Sequence, residues 1–146
     1  MALETRQLVR KGGGRDYDYS MDHCFVKLAS ESTGGELSLV EDALKPGFTL
    51  ARHHHKRMTE VFYILEGEVE FAFDDETVLL GPGDTLTIPP NVWHAAACRD
   101  GGRMLTIFKD GRFDDYLERL STLSEAQFQD EELMRSLSEE FDIFER

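Results

Sequence analysis

The chain has 146 residues, of which 40% are hydrophobic and ten are phenylalanine, enough for one domain that closes a continuous apolar core without disulfide or metal staples. Its 16 basic and 29 acidic residues give a formal net charge of −13, a field that repels phosphate backbones and anionic membrane surfaces, so neither nucleic acid nor membrane is expected as a partner. Cys24 and Cys98 lack the close spacing of a metal knuckle and the density of a disulfide scaffold, and read as free thiols of a reducing compartment. Met1 to Lys11 carries no apolar run of signal-peptide or membrane-span length, which points to the cytoplasm.

Residues 1–35 read as an N-terminal arm. Gly12, Gly13 and Gly14 followed by the polar stretch Asp16 to Asp22 suggest a flexible lead-in with one short strand at Phe25 to Ala29. The triple glycine lacks the flanking strand and helix that a phosphate loop needs.

From Glu36 to Lys109 the pattern changes to short apolar or alternating runs, which predict eight antiparallel strands. They span Glu36 to Leu44, Phe48 to His55, Glu60 to Leu65, Glu68 to Phe73, Thr77 to Leu80, Thr85 to Ile88, His94 to Arg99 and Arg103 to Phe108. The intervening Lys45-Pro46-Gly47, Glu66-Gly67, Asp74-Asp75, Gly81-Pro82-Gly83-Asp84 and Pro89-Pro90-Asn91 each supply turn chemistry. Even spacing with such turns favours an all-β sandwich or barrel over residues 36–110.

Residues 111–146 form a helical extension carrying eleven acidic residues against four arginines. Phe113, Tyr116, Leu117 and Leu120 fall on one helical face. Ser124 with Gln127 resembles a capping box, and Asp130 can cap a last helix with Leu133, Met134, Leu137 and Phe141 on its apolar side. These are read as helices covering a sheet edge.

Side chains alternate along a strand, so His53 and His55 project to one side and His54 to the other. A tight antiparallel return brings Glu60 back against the histidine pair, and barrel closure delivers His94, just after the rigid Pro89-Pro90-Asn91 turn, to the same interior face. Three imidazoles and a carboxylate suit Fe(II), Mn(II), Ni(II), Co(II) or Zn(II), and residue type alone does not choose among them.

The spacing Gly47, five residues, His53, one residue, His55, four residues, Glu60, six residues, Gly67 resembles the first motif of the cupin superfamily in full. The second motif is matched by Gly83, five residues, Pro89, one residue, Asn91, two residues, His94, with Asn91 where the family usually has glycine and Cys98 where it often has asparagine. Asn tolerates the left-handed backbone, so the bend at Asn91 should persist.

The resemblance, to small single-domain quercetin-dioxygenase-like cupins, implies an RmlC-like jelly-roll barrel with C-terminal α-helices. It implies one divalent metal ion held by His53, His55, Glu60 and His94, and in many relatives a homodimer built through edge strands. Within that fold Phe62, Ile64, Phe71, Phe73, Trp93, Met104 and Phe108 are expected along an apolar pocket, with Cys98 sharing the strand face of His94. A small hydrophobic or aromatic substrate fits such a wall. The resemblance further implies a dioxygenase in which Glu60 doubles as the base, taking a proton from a phenol or enol. Non-redox isomerisation, cyclisation, decarboxylation or elimination at the same ligands, and ligand binding without turnover, remain alternatives.

Overall fold

The computed structural model describes residues 5–146; Met1 to Glu4, within the expected N-terminal arm, lie outside the described residues. Ten strands run in order: β1 (Asp16–Asp18), β2 (Asp22–Leu28), β3 (Leu37–Leu44), β4 (Phe48–His53), β5 (Thr59–Glu66), β6 (Val69–Phe73), β7 (Thr77–Leu80), β8 (Thr85–Ile88), β9 (His94–Cys98) and β10 (Gly102–Lys109). Three helices follow, α1 (Phe113–Ser121), α2 (Glu125–Phe128) and α3 (Glu131–Glu140). All pairing is antiparallel, in a sheet of order β1-β2-β3-β10-β5-β8 and a second of order β4-β9-β6-β7.

The core lies between the sheets because each strand alternates its side chains. Along β3, Ser38, Val40, Asp42 and Leu44 are buried while the residues between them are partly exposed. Leu44, Phe62, Ile64 and Met104 of the larger sheet meet Phe48, Val69, Phe71 and Cys98 of the smaller, and the Phe62 and Phe71 rings span the interface at 4.8 Å. Each such buried side chain contributes about 1.5–3 kcal/mol of hydrophobic stabilisation. The turn before β9 works as expected, with Asn91 at φ 68°.

The arm differs from expectation in one respect: the polar stretch after the glycines forms β1 and the start of β2, which extend the larger sheet. As an edge strand with largely exposed residues, β1 needs no apolar alternation and so carries no strong periodic signal. At Gly14 (φ 92°) a Cβ would stand 2.1 Å from the Val26 carbonyl oxygen, so only glycine lets the chain cross β2 there.

The helices do more than cover an edge. Leu117 of α1 joins Cys24, Val40, Met58 and Phe108 in a second buried cluster at one end of the barrel, and Arg15 pairs with Glu118 while Tyr19 Oη donates to the Leu117 carbonyl at 2.6 Å. The capping box forms at Ser124 and Gln127, and the Asp130 side chain accepts the Leu133 amide at 3.1 Å. Among the described residues no helix is long and apolar enough to cross a membrane.

Candidate metal centre

β4 ends at His53 because the register with β9 shifts between Leu50 and His53. His53 pairs directly with His94, the first residue of β9, and His94 pairs on its other side with Phe73. His55 follows in the turn into β5, and Glu60 stands on β5 between Phe108 and Ile88. One ligand atom from each of His53, His55, Glu60 and His94 lies within 4.8 Å of the other three. All four residues are between 0% and 4% exposed.

The hydrogen bonds around the rings decide what the cluster can hold. Nδ1–H of His53 donates to the Ala51 carbonyl at 2.7 Å, that of His55 to the Asp142 carbonyl at 2.7 Å, and that of His94 to the Val92 carbonyl at 2.9 Å. A carbonyl only accepts, so each Nδ1 carries the proton and each Nε2 presents a lone pair. The His94 Nε2 has no hydrogen-bond partner, and the His55 Nε2 touches Glu60 Oε1. Three lone pairs and a carboxylate with no donor among them fit a cation, and the backbone acceptors behind the rings are the outer shell that metal-binding histidines use.

Burial disfavours charge on His55, but the Glu60 carboxylate against it outweighs burial and raises its pKa. Burial, followed by the neighbouring His94, pushes His53 down to about 4, and burial lowers His94. For Glu60 burial is opposed and exceeded by the His55 contact, which lowers its pKa.

A cavity of about 280 Å³ opens on this centre, with His53, His55 and Glu60 at one end and Phe62, Met104 and Phe108 along its walls. Helix α1 closes it with Tyr116, Leu117 and Leu120, joined by Ile143 from the C-terminal segment. Asp22, Asp42 and Thr106 form a polar wall away from the histidines. Asp42 is buried, with Thr106 Oγ1 donating to it at 3.2 Å. Burial, reinforced by the adjacent Asp22, raises its pKa well above the carboxylate range, and burial raises Asp22 as well.

Several residues expected along the pocket lie elsewhere. Ile64, Phe71 and Cys98 are 0% exposed in the inter-sheet core, with Phe73 packed against it, because their rows on β5, β6 and β9 face the opposite sheet beyond the cavity floor. Cys98 does share the inward face of β9 with His94. Trp93 precedes β9, so it points away from His94, packing tilted against His54 at 4.1 Å and under the Arg52 guanidinium at 4.0 Å. His54 occupies that opposite face as expected, though it is buried there rather than solvated.

Asp22, Asp42, Thr106 and Tyr116 were not singled out from sequence. Asp42 had a readable signal, a carboxylate at an inward position of an alternating strand, whereas the approach of the C-terminal segment to His55 has none.

A two-sheet jelly-roll with three buried histidines and a glutamate gathered together defines the class of fold, that of a small single-barrel cupin-like protein. Residues 40–108 match the family described as "Cupin domain", and over that stretch the chain is similar to cupins. Over 96 residues, 65% of this chain, it is 29% identical to the quercetin 2,3-dioxygenase of Bacillus subtilis (strain 168), a segment amounting to 28% of that enzyme. The chain spans less than half the length of the curated relatives it matches. Among solved structures, KdgF from Halomonas sp. superposes with a TM-score of 0.67 at 19% identity, covering 76% of this chain and 99% of that one. An RmlC-like cupin from Shewanella frigidimarina NCIMB 400 gives 0.65 at 24% identity, with 76% and 96% covered.

Proposed function

We propose that the chain is a metal-dependent dioxygenase acting on a compact, oxygenated ring compound of the flavonol or diketone kind. The observation that carries this reading is the set of three Nε2 lone pairs, each fixed by a carbonyl behind its ring, converging with Glu60 at the end of an apolar cavity. The likeness to a quercetin 2,3-dioxygenase supports the choice of reaction. A divalent transition metal bound by His53, His55, Glu60 and His94 would supply Lewis acidity toward a substrate oxygen and, if redox-active, a path for electrons to O₂.

The chain's own residues supply the remainder. Glu60 takes a proton from the substrate hydroxyl at a carboxylate oxygen. Phe62, Met104 and Phe108 hold the ring by apolar contact, while Tyr116, Leu117 and Leu120 keep bulk water out. At about 280 Å³ the cavity lies at the small end of ligand pockets, roughly 300–1,000 Å³, which selects compact molecules.

The adjacent carboxyl groups of Asp22 and Asp42 on the cavity wall, both with pKa raised by burial, favour a second reading, proton transfer without O₂, as in isomerisation or cyclisation. Elemental analysis of tag-free protein, then oxygen-electrode and mass-spectrometric assays with flavonols, catechols and diketones after loading with Fe(II), Mn(II), Ni(II) or Co(II), separates the two. Substrate-dependent O₂ uptake is the expected result. Product formed equally under argon selects the second reading, and absence of metal under every loading condition refutes both.

A further inference from the structure

The three histidines of the centre are not oriented in the same way. His53 and His94 donate Nδ1–H to carbonyls two residues earlier in the chain, Ala51 and Val92, so their orientation is local. His55 donates to the Asp142 carbonyl, 87 residues away. Its orientation exists only when the C-terminal segment is docked.

The docking is specific. Asp142 follows α3 with its backbone in the left-handed region at φ 66°, where residues other than glycine and asparagine are uncommon. Its amide donates to the Glu139 carbonyl at 3.1 Å, and the Ile143 amide to the Ser138 carbonyl at 2.9 Å. The helix end therefore holds Asp142 while its carboxylate points into the turn that carries His55. There Oδ1 accepts the Lys56 amide at 2.8 Å, and Oδ2 accepts those of Arg57 at 3.0 Å and Met58 at 2.8 Å. Two residues beyond Asp142, Phe144 and His54 exchange backbone hydrogen bonds at 2.9 and 3.0 Å. Asp142 is 6% exposed, and hydrogen bonds from three backbone donors to a buried carboxylate are charge-assisted and short.

We propose that Asp142 is a positioning residue of the metal centre: through its carboxylate and its carbonyl it fixes the turn between β4 and β5 and the Nδ1–H tautomer of His55, making ligand assembly depend on the docked C-terminal segment. This rests on the reading that the four residues hold a metal. Partners behind metal-bound histidines typically change affinity by about 10- to 100-fold. An alanine at 142 loses all three carboxylate acceptances. Asparagine keeps the volume but turns an NH₂ toward at least one amide donor, so it serves as the milder variant.

The test compares wild type, Asp142→Ala and Asp142→Asn by long-range ¹H–¹⁵N NMR of the histidine rings in apo protein and by competition of Co(II) against a chromophoric chelator. The expected result is mixed tautomers at His55 alone, with His53 and His94 unchanged. Co(II) affinity should fall at least tenfold in Asp142→Ala and by a smaller factor in Asp142→Asn. If Asp142→Ala does not fold, Asp142→Asn decides. Unchanged His55 signals with unchanged Co(II) affinity overturn the proposal, as does equal disturbance of all three rings, which marks general loss of structure. If wild type binds no Co(II), the metal reading fails, while selective loss of the His55 tautomer still supports the positioning role and its retention overturns it.

Discussion

Three adjacent histidines with two opposite orientations make a direct test of the centre. Replacing His53 by alanine removes one of three lone pairs from a cluster whose ligand atoms lie within 4.8 Å of one another, and the same holds for His55 and His94. Loss of a direct ligand should exceed the weaker effect of outer-shell changes, so each variant should lose at least tenfold in metal affinity, or about 1.4 kcal/mol. The His54 ring packs tilted against Trp93 at 4.1 Å and lies 5.6 Å from the Phe144 ring. Its buried Nδ1 makes no hydrogen bond, so its removal forfeits packing without orphaning a polar partner, a cost of about 1–2 kcal/mol. For a chain of this size that lowers the thermal midpoint by about 2–8 °C while leaving metal content intact. Elemental analysis after dialysis, chelator competition and a thermal melt of the apo protein read both effects. Metal loss in His54→Ala as large as in His53→Ala would show the strand register to be wrong, and undiminished metal in His53→Ala, His55→Ala and His94→Ala would remove the site.

Other consequences are separable from the metal. Asp42 holds its proton to higher pH folded than unfolded, so the folded state binds more protons above the ordinary carboxyl pKa of 3.8; stability present below that value is lost as pH rises toward the raised folded pKa. Asp42→Asn should therefore flatten the fall in thermal midpoint as pH rises above about 4, and an unchanged slope would contradict the raised Asp42 pKa. Cys24 and Cys98 are 2% and 0% exposed, and burial raises both thiol pKa values. A disulfide-exchange reagent should label neither in the native protein within minutes and both after denaturation; rapid native labelling would count against the core packing. Met104→Trp adds bulk to the cavity wall without touching a ligand, and should leave metal content unchanged while lowering kcat/KM for whichever ring compound the wild type consumes at least tenfold. Retained turnover would place the substrate elsewhere.

The barrel was legible because its strands are half-buried: alternation in β3 and turn residues such as Asn91 are local signals. The four ligands were legible for the same reason, since period-two geometry separates His53 and His55 from His54. The pocket was legible only in part. Phe62, Met104 and Phe108 reach the cavity whereas Ile64 and Phe71 do not, because inward-facing residues divide between the cavity and the inter-sheet core according to the depth of their row, which no local pattern encodes. Trp93 was misplaced because it precedes the strand, and parity puts it opposite His94. The C-terminal segment was the least legible, since its role depends on a contact between Asp142 and a turn more than 80 residues earlier.

The two polar ends of the cavity restrict what can bridge them. Asp42 is paired with Met104 and Glu60 with Phe108, four residues apart on the shared neighbour β10; at about 3.3 Å rise per residue and 4.8 Å between strands, their Cα atoms stand about 16 Å apart. One end, with three lone pairs and a carboxylate, accepts a cation and through it an anionic or strongly accepting oxygen. The other, lined by the Asp22 and Asp42 carboxyl groups and the Thr106 hydroxyl, favours a second oxygen function able to hydrogen-bond with them. Between them Phe62, Met104 and Phe108 exclude water and charge. A substrate touching both ends therefore carries two oxygen functions separated by an apolar framework longer than one unsubstituted ring. Monohydroxylated single-ring compounds should occupy only one end and bind weakly, so relative affinity across a series of phenols, catechols, diketones and flavonols reads the length of the cavity directly.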